Sequence, residues 1–184
     1  SCIRVLKTLL PEIETVSLYT VLAELGIKST APAPVFDTAA VFDPCAGAGD
    51  ADAKAAVRAL SESAGVSLTD FDSDGRCCGF GGHMQLADPA LYREMTGSRA
   101  SLAEEPYIVW CSNCLDVFRS AGKRCAHVLD LLFGLESSPT SLEEKRRNRL
   151  ALKKELLHRQ GDDSFMPEAH EWDTLPVSYT PDII

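Results

Sequence analysis

Five of the seven cysteines fall into three groups: Cys45 alone, the doublet Cys77–Cys78, and the pair Cys111–Cys114. The groups are separated by residues 46–76, a gap of 31, and residues 79–110, a gap of 32. A thiolate is both a soft metal ligand and a nucleophile, so clustered cysteines in a reducing compartment serve as metal ligands or redox catalysts more often than as disulfides. Four thiolates suffice for zinc or an ordinary iron–sulfur cluster. Five, two of them adjacent, ask for more than one tetrahedral ion. Gly47, Gly49, Gly79, Gly81 and Gly82 crowd the first two groups. Lacking side chains, they let the backbone approach a bound group and donate N–H to its sulfurs. His83, six residues beyond Cys77, is placed either to donate to such a group and shuttle a proton, or simply to face solvent. Trp110-Cys111-Ser-Asn-Cys114 also has the form of a thioredoxin-type redox pair, a chemistry that needs neither Cys45 nor the doublet. Cys125 reads as a small core residue and His127 as a capping or packing side chain. Arg76 and Arg99 either balance thiolate charge or are solvated.

The elements that must carry these residues alternate between strand-like and helix-like, which predicts a parallel α/β sheet between Pro44 and Gly134. Ala39–Phe42 is a short apolar run stopped by Asp43-Pro44. A helix follows over Asp50–Ala64, with Ala53, Ala56, Val57, Leu60 and Ala64 at helical spacing and acidic residues at its start. Val66–Phe71 reads as a second strand. Asp88–Ala103 reads as a helix with Pro89 in its first turn. Tyr107–Trp110, apolar throughout, fits a buried central strand. Cys111–Ala121, Ala126–Val128 and Leu129–Gly134 complete the series as helix, strand and helix. In open parallel sheets ligands gather where strands end and helices begin, so all five thiols are expected in one crevice, facing helix N-termini that favour thiolate.

A weak internal correspondence accompanies this order. Cys2-Ile-Arg-Val-Leu-Lys, followed by Val16–Gly26, parallels Cys114-Leu-Asp-Val-Phe-Arg, followed by His127–Gly134. Asp43-Pro44-Cys45, Cys78-Gly79-Phe80-Gly81-Gly82 and Cys111-Ser-Asn-Cys114, at their spacing, resemble the stations of the CCG (cysteine-rich) domain. That domain occurs in the cysteine-rich subunit of heterodisulfide reductase and in the iron–sulfur subunits of glycolate and lactate oxidation systems. The resemblance covers about Ala39–Gly134. It implies an α/β domain, usually present twice, that holds a non-cubane 4Fe–4S cluster on Cys45, Cys77, Cys78, Cys111 and Cys114. Such a domain passes electrons to a disulfide or a quinone-like acceptor. In some members one copy carries zinc or has lost ligands. Cys2 falls where the second cysteine of a first copy's Cys-x-x-Cys would stand. The expected organisation is therefore the end of a truncated first repeat over residues 1–35, one complete cluster-binding domain over 36–136, and a linker, charged helix and tail over 137–184.

A formal net charge of -9, with 27 acidic against 18 basic residues, argues against a nucleic-acid surface, which must neutralise phosphates with clustered Lys and Arg. No apolar run is long enough to span a membrane, no signal peptide is evident, and the chain reads as cytoplasmic. Beyond Gly134, Ser137–Ser141 is linker-like, and Leu142–Arg159 is a charged helix with Leu142, Leu150, Leu152, Leu156 and Leu157 as its apolar residues. No nucleotide or flavin motif is present. The expected function is an iron–sulfur electron-transfer domain of a larger, heterodisulfide reductase-like oxidoreductase, served by a flavin- or ferredoxin-type donor in another domain or subunit. The rivals are a redox-silent zinc domain and a thioredoxin-like dithiol oxidoreductase.

Overall fold

The computed structural model describes residues 2–73, 76–81, 84–135 and 142–159. The chain divides into two compact units, Ser1–Pro139 and Thr140–Ile184.

The first unit is built on four parallel strands: β1 (Thr38–Phe42), β2 (Ser67–Leu68), β3 (Tyr107–Val109) and β4 (Cys125–His127), in spatial order β2-β1-β3-β4. The mixed α/β class with a parallel sheet is as expected. Ala39, Ala40, Val41 and Phe42 are all buried, as are the three residues of β3, which suits two central strands covered on both faces. Pairing runs Ala40 to Tyr107, Val41 to Ile108 and Phe42 to Val109, then Tyr107 to Cys125 and Val109 to His127. Alternation along these strands sends side chains to opposite faces. Ala39, Val41, Ile108, Ala126 and Val128 join one apolar layer with Val57, Leu60, Leu131 and Leu132. Ala40, Phe42, Tyr107 and Val109 join the other, with Leu115, Val117 and Phe118. In that second layer the Phe42, Tyr107 and Phe118 rings meet edge-on or tilted at centroid distances of 4.6–5.5 Å.

Helices cover both faces. On the first lie α2 (Leu18–Glu24), α3 (Ala51–Ser63) and α7 (Val128–Phe133); on the second lie α5 (Pro89–Ala100) and α6 (Ser112–Ser120). Their starts follow local chemistry. Asp50 caps α3 by accepting from the Ala53 N–H at 3.0 Å. Asp88 caps α5 through the Leu91 N–H at 2.9 Å, ahead of Pro89, whose missing N–H costs nothing at that position. His127 caps α7, as the sequence suggested: its Nδ1 accepts from the Leu129 N–H while Asp130 accepts from the His127 N–H. Two further helices, α1 (Cys2–Leu9) and the short α4 (Met84–Ala87), complete this unit among the described residues.

One element differs from expectation. The second strand spans only Ser67–Leu68, because the chain leaves the sheet after Thr69 and Phe71 turns in to stack on Tyr107, with ring centroids 5.5 Å apart. The doublet therefore rides on a long loop rather than directly on a strand end. The N-terminal stretch joins this same unit: Ser29 Oγ donates to the Leu131 carbonyl, the Thr30 N–H donates to that of Leu132, and α2 packs on α3.

Described residues of the second unit form α8 (Leu142–Arg159), as expected for the charged helix. Arg159 pairs with Glu155 one turn back, and Leu152 and Leu156 are exposed. The linker residues 137–141 and the tail beyond Arg159 lie outside the described residues.

Candidate metal centre

With strand order β2-β1-β3-β4, the chain moves outward to β2 after β1 and then returns to β3 on β1's other side. The order reverses between β1 and β3, and the crevice at the carboxyl ends of such a pair is where open α/β sheets hold ligands. Cys45 stands three residues beyond β1, at the start of a single turn of 3₁₀ helix (Cys45–Gly47). Cys111 stands two residues beyond β3, as the N-cap of α6, with Cys114 in the first turn. The doublet arrives over the same edge on the loop from β2.

All five thiols interact. Cys45 and Cys77 share a hydrogen bond, and Cys45 also feels Cys78 and Cys111 electrostatically. Cys114 is hydrogen-bonded to both Cys78 and Cys111. Cys45 and Cys77 are exposed, Cys111 is half-buried, and Cys78 and Cys114 are buried. The thiols thus range from buried to solvent-facing. The Cys114 side chain, backed by the N–H groups of Cys114 and Asn113, draws Cys111 down to about 6 against the opposition of burial. The Cys114 bond and the Phe80 N–H likewise draw Cys78 down to about 7. Cys114 itself is pushed far up, first by its bonds to Cys111 and Cys78 and then by burial. Cys45 is raised by desolvation and then by Cys77. Two thiolates near neutrality, each receiving main-chain N–H groups, are what a cationic or iron-bearing guest requires.

Among the described residues, no three or more His, Cys, Asp or Glu side chains are gathered around one point at which a metal ion would sit. The donor set itself, five soft sulfurs in one pocket with N–H groups aimed at them, fits a thiolate-bound metal or iron–sulfur group.

Of the glycines, Gly79 has φ +100 and donates its N–H to Cys77 Sγ at 3.4 Å, while Gly81 is exposed with open space about it. Gly82 and His83 lie outside the described residues. Cys125 is buried, donates to the Leu115 carbonyl at 3.6 Å and is raised to about 11 chiefly by burial, in keeping with a core role. Arg76 is exposed on the loop before the doublet.

Further side chains tie the cysteine loops together. The Asp43 carboxylate accepts from Trp110 Nε1 at 3.0 Å and from Arg58 Nη2 at 2.9 Å, and the Asp43 N–H donates to Ser73 Oγ at 2.7 Å. Tyr19, on α2, donates its hydroxyl to the Trp110 carbonyl at 2.9 Å and meets the indole edge-on at 5.4 Å. Its own ionisation is pushed up to about 12, by burial and then by Cys111. Tyr92, on α5, is raised by burial and then by Cys78. In the sequence Asp43 stood out as the stop of an apolar run and within Asp43-Pro44-Cys45; nothing local marks Tyr19.

Fold and site together define a parallel α/β domain with cysteine-bearing loops at its switch point. Residues 39–119 match the family model of the CCG cysteine-rich domain, and over that stretch the chain carries such a domain. No curated protein and no solved structure matches the chain. No helix among the described residues is long and apolar enough to cross a membrane.

Proposed function

We propose that Cys45, Cys77, Cys78, Cys111 and Cys114 hold an iron–sulfur cluster of the 4Fe–4S type, and that the domain moves electrons within a larger oxidoreductase. The observation that supports this reading is that five thiols on three separate loops influence one another at the carboxyl edge of the sheet, Cys45 and Cys77 exposed, Cys78 and Cys114 buried. Such a group, when bound, supplies one-electron chemistry. The chain's part is to keep Cys111 and Cys78 as thiolates, to lend main-chain N–H groups to sulfur, and to close the floor with Cys78 and Cys114 while leaving the Cys45 and Cys77 side open to an acceptor. A disulfide or related acceptor fits that open side, and a flavin- or ferredoxin-type donor would reside in another domain or subunit. Anaerobic reconstitution of the full chain with iron and sulfide tests the reading. A broad visible absorbance that bleaches with dithionite, together with a paramagnetic resonance signal, is expected. A colourless protein that takes up zinc and no iron refutes it in favour of a redox-silent zinc domain.

One observation favours a second reading. Cys111 lowered to about 6 beside a buried, strongly raised Cys114 at a helix start is the asymmetry of a dithiol oxidoreductase. In that case metal-free protein reduces a model disulfide and Cys111→Ser abolishes the reaction. Inert metal-free protein ends that alternative.

A further inference from the structure

The pocket needs three loops from different parts of the chain to arrive at fixed separations, and one residue touches all three. Asp43 lies two residues before Cys45. Its carboxylate holds the indole of Trp110, the residue before Cys111, at 3.0 Å, and its main-chain N–H is held by Ser73, four residues before Cys77, at 2.7 Å. Arg58, on α3, grips the same carboxylate with both terminal nitrogens, at 2.9 and 3.3 Å, and bonds the Lys54 carbonyl at 3.1 Å. The Asp43 side chain is 5% exposed and that of Arg58 36%. Trp110 in turn lies directly over Gly47, where any Cβ would strike the indole, and its carbonyl is fastened by Tyr19.

Burying a carboxylate is costly, and a buried ion pair often adds little net stability compared with apolar side chains of the same size. What such a pair does provide is direction: two carboxylate oxygens and one N–H fix three partners at hydrogen-bond geometry. Each of those partners is a neighbour in sequence of a cysteine group or an anchor to the helix behind it.

We infer that Asp43 is the positioning residue of the five-thiol pocket, holding the loops of Cys45, of Cys77–Cys78 and of Cys111 in mutual register through Trp110, Ser73 and Arg58. What the thiols are positioned to bind rests on the proposed function; the register itself does not.

The test is a map of thiol separations in the reduced, metal-free full chain. Dibromobimane links two thiols only when both lie within its short reach. Trypsin then cuts after Lys54, Arg76 and Arg99, so that Cys45, the doublet and the Cys111–Cys114 pair fall on separate peptides. Links between peptides are measured by mass spectrometry against the local Cys111–Cys114 link as internal reference. Asp43→Ala removes the carboxylate but leaves the main-chain N–H to Ser73 in place. It is therefore expected to lower links to the Cys111–Cys114 peptide about fivefold relative to that reference, the effect of losing one net hydrogen bond, while those between Cys45 and the doublet persist. Asp43→Asn, which keeps an oxygen for the indole N–H, restores most of them. Trp110→Phe, which keeps a ring over Gly47 but loses the N–H, lowers links to the Cys111 peptide while sparing those between Cys45 and the doublet. A residue that served stability alone would lower the unfolding temperature and leave these ratios unchanged in the folded protein, and that result overturns the inference. Should Asp43→Ala not fold, Trp110→Phe and Asp43→Asn decide by the same ratios. Iron uptake, measured in parallel, separates the two claims. Wild-type chain that takes no iron, with links that still depend on Asp43, refutes the cluster and upholds the positioning; iron uptake with links indifferent to Asp43 does the reverse.

Discussion

The indole N–H of Trp110 donates to the Asp43 carboxylate at 3.0 Å, across the junction between β1 and β3. Both residues stand just past the ends of their strands, so this bond spans the crevice at which the sheet order reverses. It explains how two cysteine loops 67 residues apart at this contact share one pocket without a disulfide between them.

Gly47 tests how tightly that junction is packed. A methyl group there would overlap the Trp110 ring, with Cζ2 only 2.5 Å away. Gly47→Ala must therefore push the indole off Asp43 or unwind the turn that begins at Cys45. A loss of about 1–3 kcal/mol is expected, the usual cost of overpacking. Urea unfolding checks the cost, and Trp110 fluorescence in a Trp172→Phe background reports the ring's displacement. An unchanged midpoint and spectrum would show that the turn, not the indole, has room to give.

Thiol ionisation predicts an order of reactivity in the reduced, metal-free chain. Only the thiolate attacks an alkylating reagent. Cys111, lowered to about 6, is mostly ionised at neutral pH, whereas Cys45, though more exposed, is raised. Iodoacetamide should modify Cys111 ahead of Cys45, with the Cys111 rate falling as pH drops through about 6. Cys125, raised to about 11 and buried, should remain unmodified until the protein unfolds. Peptide mapping over a pH series reads all three, and faster labelling of Cys45 than of Cys111 contradicts the assignment.

The cysteine groups and the strands that lead to Cys45 and Cys111 were legible, because apolar runs ended by Asp43-Pro44 or by Cys111 are local signals. The helix over Ala51–Ser63 and the charged helix over Leu142–Arg159 were legible for the same reason. Val66–Phe71 was overread as a strand: period and composition cannot show that Phe71 is worth more stacked on Tyr107 than paired beside β1. Tyr19 was invisible for a related reason. Its partner is the carbonyl of Trp110, 91 residues away, and no spacing encodes a bond to a backbone atom at that distance.

His127 gives the pH dependence a defined sign. Burial lowers its pKa from the ordinary 6.5, with Asp130 and the Trp110 main chain opposing. Below about 6.5 the unfolded chain takes up a proton that the native imidazole, occupied as acceptor for the Leu129 N–H, resists. The unfolded state then binds more protons, so this group's contribution is whole above 6.5 and shrinks as pH falls. One proton limits the slope to about 1.4 kcal/mol per pH unit. His127→Asn retains a capping acceptor and should flatten this part of the curve. Denaturant titrations of both proteins between pH 5 and 8, roughly the range in which histidine changes charge, provide the check, and parallel curves would remove His127 from the account.

Gly79 isolates the doublet's own backbone requirement. It sits at φ +100, and a Cβ there would come within 2.8 Å of Met95 Cε and 3.0 Å of Thr96 Cγ2, both on α5. Gly122 has φ +78 with open space around it. Alanine at either position meets the strain of a left-handed backbone, about 1–3 kcal/mol. Only at Gly79 does it also press against a helix and tilt the N–H now given to Cys77 Sγ. Gly79→Ala should therefore cost more stability than Gly122→Ala, and it alone should lower iron uptake on reconstitution. Equal losses from the two substitutions would mean that α5 yields freely, leaving only the sign of φ to constrain the doublet.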